Sequence, residues 1–325
     1  MKAQRLTIVT YHYVRELAAG RYPRIRGLET RLFIEQLEYV LYHYTPVSMD
    51  EVMDALEDRG CLPERPILLT FDDGYADHYQ NCFPLLLAKG VPGAFFPPVE
   101  AVRDRKMLGV NKIHFLLAMI DDPSVLVGEV LAFVKQHRAR LGLAAEAEYL
   151  AQHMVQGRYD PAEVVFVKRM LQRELPAIAR AELLDILFVR YLDVSEAVLA
   201  SELYMTPAQL AHMARVGMYV GSHGTTHEWL NTLEPQKQAM EIEISLAFLR
   251  SLGVETSRWA MCYPYGAVDD SLVEILRARG CRLGLTTRPD VAVLDRVECY
   301  RLPRLDTNDL PVDRAAAANQ WYLRA

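Results

Sequence analysis

The chain has 325 residues, room for one large domain or two modest ones; 51% are hydrophobic and 24% charged, a balance that excludes a disordered chain. Thirty-six Lys and Arg against 42 Asp and Glu leave a net charge of −6, which excludes a broad nucleic-acid footprint but not a local arginine on an anionic substrate. Five cysteines, none in a C-x-x-C pair, exclude a disulfide framework or zinc ribbon and fit a reducing compartment.

The first apolar run, Leu6 to Tyr11, reads as a strand and stops at Tyr11 and His12. It is not the apolar core of a signal peptide, and no run of about 18 apolar residues follows anywhere, so a cytoplasmic chain without a membrane-spanning segment is expected. Leu32–Tyr44 has apolar residues at helical spacing. Met49–Arg59 reads as a second helix, capped by Ser48 and ended by Gly60. Ile67–Phe71 reads as a fully buried strand, Tyr75–Lys89 as a helix kinked or restarted at Pro84 and stopped by Gly90, and Val91–Phe96 as another strand. From about Ala101 to Met205 the chain turns Leu, Ala, Glu and Arg rich, with helical periodicity and no clear strand. Val125–Arg140, Pro161–Glu174 and Ala177–Tyr191 are the main helices there, and Asp160-Pro161 and Thr206-Pro207 read as caps with Pro at the first helical position. The alternation then resumes: helix Thr206–Val216, strand Met218–Ser222, helix Pro235–Leu252, strand Trp259–Tyr263, helix Asp270–Arg279, strand Leu283–Thr287 and a C-terminal helix, Ala315–Trp321. Repeated βα units predict a mostly parallel sheet.

Three strand ends carry chemistry-bearing residues, which is where parallel α/β folds build sites. Thr70-Phe71-Asp72-Asp73-Gly74 ends one strand with two adjacent carboxylates. Adjacent carboxylates repel, so a cation that takes one leaves the other free as a base; the same residues equally suit a helix N-cap. Ser222-His223-Gly224-Thr225-Thr226-His227 follows a second strand. Two histidines four apart can reach one metal, and with an aspartate they leave positions open for water and substrate. Tyr263-Pro264-Tyr265-Gly266 follows a third; it is either a turn with packed tyrosines or a loop whose backbone N–H faces the site.

In this order, TFDDG, SHGTTH and YPYG resemble the polysaccharide deacetylase family, the NodB-homology domain of carbohydrate esterase family 4. The layout is most similar to the poly-N-acetylglucosamine deacetylase branch. The resemblance implies an α/β fold, a distorted (β/α) barrel over 1–98 and 206–325, with a helical insertion over 99–205. It implies one divalent metal ion, zinc foremost with cobalt, nickel, manganese or iron also suited, on Asp73, His223 and His227. Asp72 would be the general base that activates the attacking water, and Tyr265 would offer its backbone N–H to the oxyanion. Gly224 departs from the usual Ser or Thr. Cys262 stands where many members have an arginine that orients the base; Arg304 or Arg288 could replace it, and Arg304 and Pro264 are placed on the substrate side. The usual C-terminal L-x-H acid is missing, because no histidine follows His227. Tyr11-His12 resembles the Y-H segment of the same branch, and in a closed barrel the first strand neighbours the last, so His12 is the candidate acid. The other histidines (His43, His78, His114, His137, His153 and His212) read as surface or capping residues, and the Arg138, Arg140, Arg169 and Arg173 group as a solvated helix face.

The function implied is metal-dependent removal of an N-acetyl or N-formyl group from an amino sugar, an intermediate of surface-polysaccharide synthesis. The substrate partner would be nucleotide- or lipid-linked, with no nucleic acid and no integral membrane segment. Two alternatives keep the fold: hydrolysis of a non-sugar amide or other C–N bond, and a non-catalytic glycan-binding relative.

Overall fold

Parallel pairing organises the motif-bearing part of the chain. The structure is a computed structural model that describes residues 4–324. The chain divides into two compact units. One holds the residues up to Glu16, Gly27–Lys106 and those from Ala200 onward; the other holds Leu17–Arg26 and Met107–Leu199.

In the first unit β1 (Gln4–Tyr11) pairs in parallel with β2 (Pro66–Asp72), and β2 with β3 (Gly93–Phe96). β3 pairs with the short β4 (Tyr219–Val220). A parallel bridge from Ser222 to Met261 continues to β5 (Trp259–Cys262), which pairs with β6 (Cys281–Leu285). A second bridge, Leu285 to Leu302, leads to β7 (Leu305–Asp306), and β7 pairs back onto β1 at Val9 and Thr10. The ring therefore closes, although β4 and β7 are two residues each and two of its seams are single bridges: a distorted (β/α) barrel. Ala292–Leu294 adds an antiparallel strand beside the start of β1.

The strands form because they are apolar on both faces, as a covered parallel sheet requires; all seven residues of β2 are buried. Alternation sets Thr70 and Asp72 on the face opposite Phe71. Phe71 stacks between Tyr11 of β1 and Phe95 of β3, with ring centroids 5.1 and 4.7 Å apart. Helices follow the strands as expected: Thr30–His43; Met49–Leu56, capped by Ser48; Pro207–Arg215, capped by Thr206; Pro235–Ser251; and Asp270–Ala278, capped by Asp269. Both Ser48 and Thr206 form full capping boxes, with Glu51 and Gln209.

The second unit is built of helices: Gly109–Met119, Ser124–Leu141, Glu146–His153, Ala162–Arg169 and Ala177–Tyr191. Leu17–Arg26 belongs to it, although the sequence reading left that segment in the barrel. Arg24 donates to the carbonyls of Ala118 (2.7 Å) and Met119 (2.6 Å), and Tyr22 sets its ring edge-on to Phe115. Contacts of this kind have no periodic signature.

Two further expectations are corrected. Ala315–Trp321 is not a helix; its backbone runs through turns and irregular chain. Its carbonyls serve other segments instead, Ala316 O meeting His43 Nε2 (3.2 Å) and Ala317 O the Tyr39 hydroxyl (3.5 Å). Asp160 does not cap its helix, which starts at Ala162 with Pro161 at the cap position; the carboxylate binds Arg26 (2.5 Å) and Lys168 (2.7 Å). The helix expected over Tyr75–Lys89 does restart at Pro84, as the α-helix Phe83–Lys89 stopped by a left-handed Gly90, and the turn before it, His78–Cys82, is a wider π turn.

Candidate active site

The ends of β2 and β4 bring Asp73, His223 and His227 together, all buried. Asp73 Oδ1 lies 3.4 Å from His223 Nε2 and 3.2 Å from His227 Nε2. These three donor atoms lie within 4.8 Å of one another. Asp73 Oδ1 is buried without a hydrogen-bond partner, whereas Oδ2 accepts from the Tyr75 hydroxyl at 2.7 Å. Burial pushes the Tyr75 phenol well above its usual range, helped by the Asp73 charge, so it stays protonated as a donor. His223 Nδ1 meets the Cys262 carbonyl at 2.7 Å. That contact requires the proton on Nδ1 and leaves the Nε2 lone pair facing Asp73. An orphaned carboxylate oxygen between two imidazole nitrogens is the donor set of a divalent transition metal, and these residues fit one.

The local backbone is bent to make this cluster. Asp73 (φ 69°), His227 (φ 60°) and Tyr265 (φ 58°) are left-handed, a conformation uncommon for such residues and concentrated at functional sites. Gly74 is also left-handed, and a Cβ there would lie 2.9 Å from Val102 Cγ2. Gly224 explains its own departure from the familiar motif: its φ is +71°, and a Cβ would lie 3.3 Å from Glu241 Oε2. Glu241 organises this loop. Its carboxylate accepts from Thr225 N (2.8 Å), Thr226 N (3.0 Å) and the Thr226 hydroxyl (2.8 Å). The sequence reading missed Glu241. The signal was there, because Gln238, Glu241 and Ser245 interrupt the buried face of the helix Pro235–Ser251 with polar groups.

Asp72 is handled differently. Arg304 donates to it in a fork, Nη1 to Oδ1 (2.9 Å) and Nη2 to Oδ2 (2.7 Å), and the Thr10 hydroxyl adds a bond to Oδ2 (3.2 Å). Arg304 Nε donates to Thr286 O (2.9 Å), and Nη1 also reaches the Thr70 hydroxyl (3.0 Å), which donates to Val9 O. Burial works against a charged Asp72, but the Arg304 guanidinium outweighs it and holds the carboxyl below the usual carboxylate range. Of the two candidate arginines, Arg304 is the one bound to Asp72, and Arg288 is exposed. The Arg304 side chain has no exposed surface, so its placement on the substrate side is corrected: it stands behind Asp72. Pro264 is buried too and packs 4.0 Å from the Cβ position of Gly224, ordering the loop rather than presenting surface.

Tyr265 sits over the ligand loop. Its ring lies edge-on to His227 (4.8 Å) and stacks on Trp229 (4.6 Å, 3°). His12 follows β1 directly; its side chain is exposed, yet close enough for its charge to act on both Asp72 and Asp73. His78 is corrected from surface to core. It is fully buried, and burial pushes its imidazole down to about 4.

A family model described as polysaccharide deacetylase matches residues 59–112 and 176–284, half of the chain. The chain belongs to the polysaccharide deacetylase family. Over 90 residues it is 33% identical to the poly-β-1,6-N-acetyl-D-glucosamine N-deacetylase of Escherichia coli K12. That match spans 27% of this chain and 13% of the relative's length. Among solved structures, the Streptococcus pyogenes deacetylase PplD in complex with acetate superposes with a TM-score of 0.55 at 17% identity, covering 94% of this chain and 93% of that one. IcaB from Ammonifex degensii gives 0.52 at 20% identity, over 93% and 91%. These likenesses establish the fold. No helix among the described residues is long and apolar enough to cross a membrane.

Proposed function

We propose that this polysaccharide deacetylase is a divalent-metal-dependent hydrolase that removes an N-acetyl or N-formyl group from an amino sugar. The observation that carries the reading is the juxtaposition of an orphaned ligand set, Asp73, His223 and His227, with a separately held carboxylate, Asp72. Zinc is the first choice for two imidazoles and one carboxylate. A cation held there supplies Lewis acidity, lowering the pKa of a water and polarising the acyl carbonyl.

The chain's own residues do the rest. Asp72 is ionised at any working pH and accepts the proton of the attacking water as the new C–O bond forms. Arg304 fixes its orientation and keeps it charged. The Tyr265 backbone N–H offers a hydrogen bond to the oxygen that becomes negative. His12 delivers a proton to the amide nitrogen as the C–N bond breaks, so the products are a carboxylic acid and a free amine.

The E. coli relative's name supports an N-acetylated glucosamine as substrate. The reading includes a cytoplasmic address, supported by five unpaired cysteines, and with it a nucleotide- or lipid-linked intermediate of surface-polysaccharide synthesis. The test is release of acetate or formate from a panel of N-acylated nucleotide sugars, lipid-linked sugars and β-1,6-linked N-acetylglucosamine oligomers. The chain is stripped with a chelator, reloaded with zinc, and run beside Asp72→Asn. Release that requires both zinc and Asp72 is expected. No release from any member, with zinc bound tightly, overturns the reading.

A further inference from the structure

His12 lies where β1 ends; His12 and Tyr13 belong to no strand, and pairing resumes at Val14–Arg15 beside Leu28–Glu29, with Leu28 N donating to Tyr13 O at 2.9 Å. At His12 itself, and again at Val14, the main chain is also fastened by side chains at one neighbouring turn. His78 Nε2 meets His12 O at 2.7 Å, Asn81 Nδ2 donates to Val14 O at 2.7 Å, and Asp77 Oδ2 accepts from Val14 N at 3.2 Å. Asp77 Oδ2 also takes Arg15 Nε at 2.7 Å. Tyr13 stacks on Tyr75, with centroids 4.3 Å apart, and Tyr75 is the residue that bonds Asp73. The turn is the π turn that starts five residues after Asp73. Such turns recur at functional sites.

His78 is the least ordinary member of this set. It is fully buried, and its Nδ1 has no hydrogen-bond partner. Its one polar contact with the His12 carbonyl therefore requires the Nε2–H tautomer. A phenylalanine would fill the same space among Phe71, Tyr75 and Phe95, whose rings surround it, so packing alone does not call for an imidazole.

We propose that His78 is a positioning residue for proton donation: it fixes the main chain at His12 so that the exposed imidazole meets the leaving nitrogen. The inference rests on the reading of His12 as the acid. His78 touches no substrate and acts only through the His12 carbonyl.

A leaving amine needs a proton, and a 4-nitrophenolate does not. The zinc-loaded chain is assayed on the amide of the panel it cleaves fastest and on 4-nitrophenyl acetate. His78→Phe should lower kcat on the amide about 10- to 100-fold with KM little changed, and leave ester hydrolysis within about threefold. His78→Gln, whose amide N–H can reach the same carbonyl, should restore most of the amide rate. His12→Ala should show the same amide-selective loss in larger measure. Asn81→Leu, which removes a second bond of the clamp from a half-buried position, serves if His78→Phe does not fold, and should show a smaller loss of the same kind. Equal losses on amide and ester, or Gln performing no better than Phe, overturn the positioning role and leave packing. A His12→Ala chain with full amide turnover instead overturns the acid assignment beneath it.

Discussion

Asp72 ends its strand with three hydrogen bonds from Arg304 and Thr10, whereas Asp73, one residue on, leaves Oδ1 with none. Both are buried. A buried carboxylate needs compensation, and the fold supplies it to Asp72 from within the protein. For Asp73 the neighbours are two imidazole nitrogens that need protons to help, or a cation to share. The difference teaches how two adjacent identical side chains acquire separate roles: one is made rigid and permanently charged, the other is left incomplete.

The strongest way to break this contrast is to strip Asp72 of its partner. Arg304→Met should destabilise the chain by about 3–5 kcal/mol in urea unfolding, because a buried charge loses its counter-ion. Turnover should fall by about two orders of magnitude as the carboxyl loses its orientation. Arg304→Lys should recover charge but not the fork, and so only part of either loss. An Arg304→Met chain as stable as the wild type would mean that Asp72 does not depend on the pair.

Acid probes the same strand end from His78. Its imidazole is held near 4 by burial when folded and titrates near 6.5 when unfolded. Between those values the unfolded chain binds the extra proton, so stability rises with pH and is lost as pH falls from 6.5 towards 4. The loss amounts to about 3 kcal/mol at full extent. His78→Gln should flatten that part of the stability–pH curve; an unchanged slope would place the acid sensitivity elsewhere.

On the Asp73 side, Tyr75→Phe sharpens the contrast without touching a ligand. It removes the bond to Oδ2, and zinc affinity should weaken about 10- to 100-fold in competition with a chromophoric chelator. Unchanged affinity would show that the phenol serves packing only. The smallest effect is expected at Gly224→Ala, which forces a side chain into a left-handed position and should lower stability by about 1–2 kcal/mol while zinc remains bound.

What the sequence made legible follows from locality. The Asp72-Asp73 and His223–His227 motifs are contiguous, so residue type and spacing were enough to mark them. The βα alternation made a mostly parallel sheet legible, but the same alternation suits an open sheet, so the barrel came only from the motif resemblance; closure brings β7 to β1 beside His12. The Arg304–Asp72 fork joins positions 232 residues apart, so spacing could offer Arg304 only as one of two arginines. His78 was hidden for a related reason. It sits on a helix-like turn where a histidine is ordinarily at the surface, and only the packing of three strand and turn aromatics around it buries the ring. The Ala315–Trp321 error is the reverse case. Alanine-rich composition favours a helix, but the carbonyls of that run are bound by Tyr39 and His43 from a distant segment, and tertiary bonds override propensity.

The most direct test of the division between the two carboxylates is equilibrium zinc binding to Asp72→Asn and Asp73→Asn, measured with turnover on the same samples. The account predicts that Asp72→Asn holds one zinc as the wild type does and loses about 10³-fold or more in kcat. Asp73→Asn should fail to hold zinc at concentrations that saturate the wild type. Loss of zinc from both variants alike, or substantial turnover by Asp72→Asn, would contradict it.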